Sequence, residues 1–268
     1  MASKTELQAI KPAGLAQQEE VPDFLKSQIG NSQGLEDVEQ SDILIPRLGL
    51  CQALSPQRKK SNPLYIPDLE EGQLFNTVTQ QIYGSELEVV LLFFFKNRIK
   101  YFPIDSGGGI DCISPNGIDQ GRISPDGCSV CRYSQFGNGE DVVDGEKQGP
   151  PECTLYHNLM AFIPVDISPI AISFKSTGLK VTKQLLAQIR MSRLPMYAKR
   201  YKIGVSEAKA GQNEWFEKKL TPLGFVDSKV YAEMESNFES LKHANIKVDT
   251  TGESEGAADF SPSTDNAY

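Results

Sequence analysis

Four of the five cysteines lie between Cys112 and Cys153, spaced as Cys112, fifteen residues, Cys128-Ser-Val-Cys131, twenty-one residues, Cys153. Four thiolates suit a tetrahedral structural Zn²⁺, and in zinc-finger peptides such binding supplies on the order of 10 kcal/mol of folding energy. The segment needs such help: Gly107-Gly-Gly, Ser114-Pro-Asn-Gly, Ser124-Pro-Asp-Gly and Gly137-Asn-Gly are turn sequences with little to bury. Asp126-Gly127 supplies the bend that lets Cys128 and Cys131 face one point. The outer pair, Cys112 and Cys153, is less regular, and His157 is a rival ligand for either place. A disulfide or redox pair and unliganded thiols are the alternative readings. Cys51 lies in an apolar run and reads as a small buried hydrophobe. A catalytic zinc is disfavoured, because a zinc deaminase places His-x-Glu before its Cys-x2-Cys. Here both histidines, His157 and His243, follow it.

A second pattern is electrostatic. Between Ile167 and Ser206 there are eight Lys or Arg and no Asp or Glu: Lys175, Lys180, Lys183, Arg190, Arg193, Lys199, Arg200 and Lys202. Tyr197 and Tyr201 are interleaved with these bases. A further acid-free stretch carries Lys96, Arg98, Lys100 and Tyr101. Phosphate pairing by cations with base stacking on aromatics is how single strands are held. All of these except Lys175 are the candidate nucleic-acid-binding residues. Binding requires Lys96, Arg98, Tyr101, Tyr197, Arg200 and Tyr201 to converge on one groove. The alternative is a solvated helix and strand with half-buried tyrosines. The basic loop Gln57-Arg58-Lys59-Lys60-Ser61-Asn62-Pro63 reads as solvated.

The formal net charge of −8 is unevenly placed. Residues 1–40 sum to −4, residues 248–268 to −5, and the body between them to +1. The first and last segments are polar and acidic and are expected to be disordered. In the C-terminal tail, Asp249, Glu253, Glu255, Asp259, Phe260, Asp265 and Tyr268 form an acidic, aromatic-bearing arm suited to basic partners, including the chain's own positive face. No stretch approaches the roughly 18 apolar residues of a membrane span, and no basic-then-apolar leader opens the chain. An intracellular, cytoplasmic protein with no membrane partner is expected. No carboxylate cluster for Mg²⁺ stands in the apolar segments, so a nuclease is disfavoured and the expectation is a non-enzyme.

The elements that must position these residues are mostly strands. Ile43 to Leu50, Leu74 to Thr79, Leu87 to Phe95, Ile99 to Phe102, Leu155 to Pro164 and Ile167 to Lys175 have strand character, with Lys96-Asn97-Arg98 expected as the turn of a hairpin. Gly178 to Arg193 takes helical period. Two strands, Met196 to Val205 and Trp215 to Val226, follow on either side of a polar loop, and Asp227 caps a last helix. The expected class is mainly β with α, an α+β chain built as an OB-like barrel with a helix between its third and fourth strands. The expected organisation is a largely disordered acidic arm at 1–40, a nucleic-acid-binding body at 41–247 with a zinc-binding insertion at 104–154, and a disordered acidic tail at 248–268.

The basic aromatic strands, the cysteine-rich insertion and the acidic tail together resemble bacteriophage single-stranded-DNA-binding proteins. The architecture is similar to that of the helix-destabilising protein of the T-even phages, which has an OB fold, a structural zinc in a sub-domain and an acidic C-terminal arm. That family uses three Cys and one His preceding them, whereas here His157 comes last. The resemblance implies non-sequence-specific binding of single-stranded DNA during phage replication, recombination and repair in a bacterial host. It also implies recruitment of replication or recombination proteins through the tail. The competing expectation is a zinc-stabilised structural or adaptor protein, in which the basic residues disperse over the surface.

Overall fold

The computed structural model describes residues 22–27, 33–34, 44–103, 109–118, 121, 123–137, 142–143, 146–147, 149–164 and 168–242. In chain order these hold α1 (Asp23–Lys26), β1 (Leu48–Leu50), β2 (Leu74–Asn76), β3 (Ile82–Gly84), β4 (Glu86–Tyr101), β5 (Ile110–Ser114), β6 (Val142–Val143), β7 (Glu146–Lys147), β8 (Cys153–Ile163), β9 (Ser168–Phe174), α2 (Leu179–Ser192), β10 (Lys199–Ala210), β11 (Asn213–Phe225) and α3 (Ser228–Leu241). The class is α+β, dominated by sheet.

Strand β4 is the axis. Its first half reads Glu86-Leu-Glu-Val-Val-Leu-Leu-Phe-Phe-Phe95, and a continuous apolar run of this kind belongs to a strand covered on both faces. Val89 and Leu91 point into one core with Leu159, Ala161, Ile170, Ile172, Tyr201 and Ile203, closed by Leu185 of α2 and by Leu48 and Leu74. Val90 and Leu92 point into a second core with Met160, Phe162, Tyr197 and Met234, closed by α3. A register shift between Leu91 and Phe93 inserts one residue, so Leu92 and Phe93 both serve the second core.

The expected turn at Lys96-Asn97-Arg98 does not form. These residues continue β4 and pair with His157, Tyr156 and Leu155 of β8. The triplet lacks the glycine that a tight turn uses, and strand partners in β8, joined at Arg98 by Ser114 of β5, satisfy its backbone. The expected polar loop, Glu207 to Asn213, shrinks to a two-residue turn at Gly211-Gln212: β10 and β11 pair from Lys199 opposite Phe225 to Ala210 opposite Asn213.

The main sheet has six strands in the order β11-β10-β4-β8-β9, with β5 also paired to β4. Strands β10-β4-β8-β9 have the 4-1-2-3 order of a Greek key, with α2 in the long connection between the third and fourth. The sheet does not close into the expected barrel, since β9 and β11 do not pair with each other. The segment around β1 lies between those two edges. On one side Arg47 bridges Ala171 and the Ala171 N–H donates to the Pro46 carbonyl at 2.8 Å. On the other, the Gln52 amide exchanges hydrogen bonds of 2.8 and 2.9 Å with the backbone of Phe216, and Lys218 Nζ donates to the Leu48 carbonyl at 3.0 Å. The two helices then finish the two cores. Helix α3 opens as expected on Asp227, whose carboxylate accepts from the N–H groups of Lys229 and Val230 at 2.9 Å.

Candidate metal centre and nucleic-acid face

The far half of β4 carries the cysteine frame. Lys100 is in register with Cys112 of β5 on one side and with Cys153 of β8 on the other. Residues opposite one another in a ladder share a face, so both cysteines stand on the side of Lys100. The other two come from the turn that returns over this face. The Cys128 N–H donates to the Ile118 carbonyl at 2.9 Å, and Ser134 Oγ donates to the carbonyls of both Cys128 and Cys131. Gly127 bends the chain at φ +98°, and a side chain there would press on the Ile118 carbonyl at 3.0 Å. At Gly121 a Cβ would fall 2.6 Å from Cys112 Sγ, so the absence of a side chain leaves that sulfur its space.

All four thiols line one cavity of about 10 Å³, together with Lys100, Gly121, Ile123, Ser124, Tyr133 and Ser134. Among the described residues no group of three or more His, Cys, Asp or Glu is drawn to metal-holding spacing. The sulfurs surround the cavity without closing on a point. Burial pushes the Cys153 thiol up to about 11, with Arg98 opposing and the other three thiols adding to the rise. Arg98 donates to the Cys153 carbonyl at 3.1 Å. Burial alone would lower the pKa of Lys100, but it is raised overall, because Asp111 accepts from Nζ at 2.9 Å and Glu152 lies 3.7 Å away. Its ammonium also sits 4.7 Å from the centre of the Tyr133 ring.

The rival ligand His157 belongs elsewhere. It lies four residues along β8 from Cys153, on the order of 13 Å at strand rise. Its ring is 4% exposed, meets Phe94 edge-on at 5.0 Å, and joins Nδ1 to Thr182 Oγ1 at 2.6 Å. Because Thr182 Oγ1 donates to the Leu179 carbonyl, it accepts from His157, which places the histidine proton on Nδ1. Burial, aided by Lys96 and Lys183, holds His157 down to about 4. His157 therefore fastens α2 to the sheet.

The expected nucleic-acid groove does not assemble. Tyr201 is buried in the first core and Tyr197 in the second, where it meets Tyr231 at 5.2 Å and Phe238 at 5.7 Å. Burial raises the hydroxyl pKa of both, that of Tyr197 to about 12 with Tyr231 contributing. Neither ring has a face for a base, since each fills a core, Tyr201 from β10 and Tyr197 from the 3-10 turn before it. Arg200 pairs with Glu88 at 3.0 Å and Lys202 with Glu86 at 2.8 Å. Lys199 lies 5.4 Å over the Phe225 ring. Lys96, Arg98 and Lys100 share one face of β4, and Tyr101 takes the other, with its hydroxyl 3.5 Å from that of Tyr156.

Helix α2 differs from all of these. Lys180, Lys183, Ala187, Arg190 and Met191 recur at three-, four- and seven-residue steps, so they form one stripe, and all are exposed. The helix contains no acid, and among the described residues none of its cations makes a salt bridge. Arg190, Met191 and Arg193 with Ala187 form a shallow, open surface at its C-terminal end. Met191 is 83% exposed, which sets an apolar surface among the cations.

Sequence reasoning missed the residues that balance these charges. Asp111 and Glu152 each directly precede an outer cysteine, a signal that was legible. Glu86 and Glu88 lie more than a hundred residues from the bases they pair with and left none. The arm residues Asp249, Glu253, Glu255, Asp259, Phe260, Asp265 and Tyr268, and His243, lie outside the described residues. No helix among the described residues is long and apolar enough to cross a membrane. No curated protein and no solved structure matches the chain. The model of the Pam3 phage gp34-like proteins matches residues 14–247, spanning all the strands and both long helices above, and the chain therefore belongs to the Pam3 phage gp34-like family.

Proposed function

We propose that this protein binds single-stranded DNA without sequence preference, with α2 rather than β10 supplying the phosphate contacts. The observation that carries the reading is the exposed stripe Lys180, Lys183 and Arg190, continued by Arg193, on a helix with no acid. Cations that make no salt bridge among the described residues can neutralise phosphates and release their counterions. Met191 offers an apolar contact for bases beside them. The Greek-key order with a helix between its third and fourth strands supports an OB-like relationship, here with the barrel open between β9 and β11. Family membership supports a phage setting, in which strand protection during replication or recombination is the natural task. The acidic tail, by its charge alone, competes for the α2 cations and offers a handle for other replication or recombination proteins.

The dispersal of the β4 and β10 cations favours a second reading, a structural or adaptor protein binding other proteins. One titration separates the two. Fluorescence anisotropy of a labelled oligo-dT, against duplex of equal length, should give salt-sensitive binding that prefers the single strand. Removing residues 248–268 should tighten it at low salt. An absence of binding at low salt, with the tail removed, sinks the nucleic-acid reading in favour of the adaptor.

A further inference from the structure

We infer that Cys112, Cys128, Cys131 and Cys153 form an all-thiolate site for one structural Zn²⁺, with Arg98 and Lys100 as its positive surround. Such a site would stand whether or not the protein binds nucleic acid. Three observations support it. First, four unbridged cysteines from three separate segments line one cavity of about 10 Å³, a volume on the scale of a single small occupant. Second, the described part of the excursion has little hydrophobic core to hold it: Ile113, Ile118, Val130 and Phe136 are all exposed. Its turn is shaped by hydrogen bonds from Ser134 and Cys128 that stay within the excursion, while Cys128 and Cys131 line the same cavity as Cys112 and Cys153 of the sheet, so the cysteines are where the excursion meets the sheet.

Third, the sheet argues against the simplest disulfide. Cys112 and Cys153 flank Lys100 from opposite sides, which sets their Cα atoms two strand spacings apart, on the order of 10 Å. A disulfide needs Cα atoms within about 7 Å, whereas a metal placed between the two strands and the overlying Cys128–Cys131 turn reaches all four. Four thiolates on Zn²⁺ carry a net charge of about −2. Arg98, which donates to the Cys153 carbonyl, and Lys100, which lines the cavity, are placed to offset it. Asp111 and Glu152 fix the Lys100 ammonium beside the site and cancel part of that offset, which leaves Arg98 the larger share of it. Zinc would thus fix the exit of the chain from β4 and its return to β8.

The test is metal content of the full chain, purified under reducing conditions and dialysed, followed by cobalt substitution. One zinc per chain is expected, and the Co²⁺ form should show the intense thiolate charge-transfer bands and tetrahedral ligand-field spectrum of four sulfurs. His157→Gln should keep the metal and the spectrum, while Cys128→Ser should lose stoichiometric zinc. Should the serine variant misfold, the spectrum of the unaltered chain decides by itself. A folded, reduced chain with no stoichiometric zinc and no charge-transfer band with Co²⁺ would overturn the site. A three-sulfur, one-nitrogen spectrum, or loss of metal on changing His157, would overturn the all-cysteine assignment.

Discussion

Helix α2 and the first part of strand β10, through Ser206, belong to the same acid-free stretch of sequence, yet the fold gives their charges different fates. Arg200 and Lys202 of β10 are answered by Glu88 and Glu86 of β4, the strand beside them in the sheet. Lys180, Lys183 and Arg190 of α2 face solvent from a helix that packs only its other side, through Thr182 and Leu185. The difference teaches that a run of bases becomes a positive face only where the fold brings no acid to it. The tyrosines make the same point. They stand among the bases in sequence, yet Tyr201 turns into the first core with Ile203 of β10, and Tyr197, in the turn just before that strand, packs into the second.

The largest effect should come from α2. Changing Lys180, Lys183, Arg190 and Arg193 together to Gln should weaken oligo-dT binding by roughly 10²–10³-fold near 0.1 M salt. It should also flatten the slope of log affinity against log salt by about 3, since each phosphate neutralised on a single strand contributes about 0.7. Anisotropy titrations over a salt series measure both, and an unchanged slope would remove α2 from the interface.

Tyr201 sharpens the contrast from the other side. Tyr201→Ala should cost about 3 kcal/mol in urea denaturation, as truncation of a buried aromatic does. Tyr201→Phe should leave single-strand affinity unchanged. A stacking role would instead be revealed by Tyr201→Ala losing affinity at temperatures where it remains folded.

His157 links the two regions, because it anchors α2 to β8. Its native pKa of about 4 lies below the value of about 6.5 expected when unfolded. Between those values the unfolded chain binds the extra proton. Stability should therefore be full above about pH 6.5 and fall as pH drops toward 4, by on the order of 2 kcal/mol. Denaturation curves across that range should show the loss, and His157→Phe should reduce it. Equal pH dependence in the variant would assign the loss to other groups.

The smallest effect belongs to β10. Arg200→Gln with Lys202→Gln should change stability by less than about 1 kcal/mol, since both ion pairs are exposed. It should leave the salt slope of binding where it was. A drop comparable to that of the α2 variant would erase the distinction drawn between the two regions.

Much of this arrangement was legible in the sequence where the signal is local. The helical period of α2, the Asp227 cap, the apolar run of β4 and the Cys-x2-Cys turn all depend on neighbours within a few residues. What failed was non-local. Lys96-Asn97-Arg98 resembles a turn until β8 supplies partners for it. His157 resembles a ligand for the cysteines nearby in sequence until strand rise carries it away to Thr182. The open edges of the sheet depend on where residues 45–52 lodge, and the sequence of that segment alone carries no mark of the place. Asp111 and Glu152 could have been noticed beside their cysteines, but only the shared register with Lys100 shows what they hold.

The most direct test is lysine footprinting of the full chain, with and without saturating oligo-dT. Amine acylation read by mass spectrometry reports each lysine separately in the same sample. Lys180 and Lys183 should become protected on binding, while Lys199 and Lys202 react as before. Protection of Lys199 and Lys202 with Lys180 and Lys183 left reactive would contradict the assignment of the strand to α2.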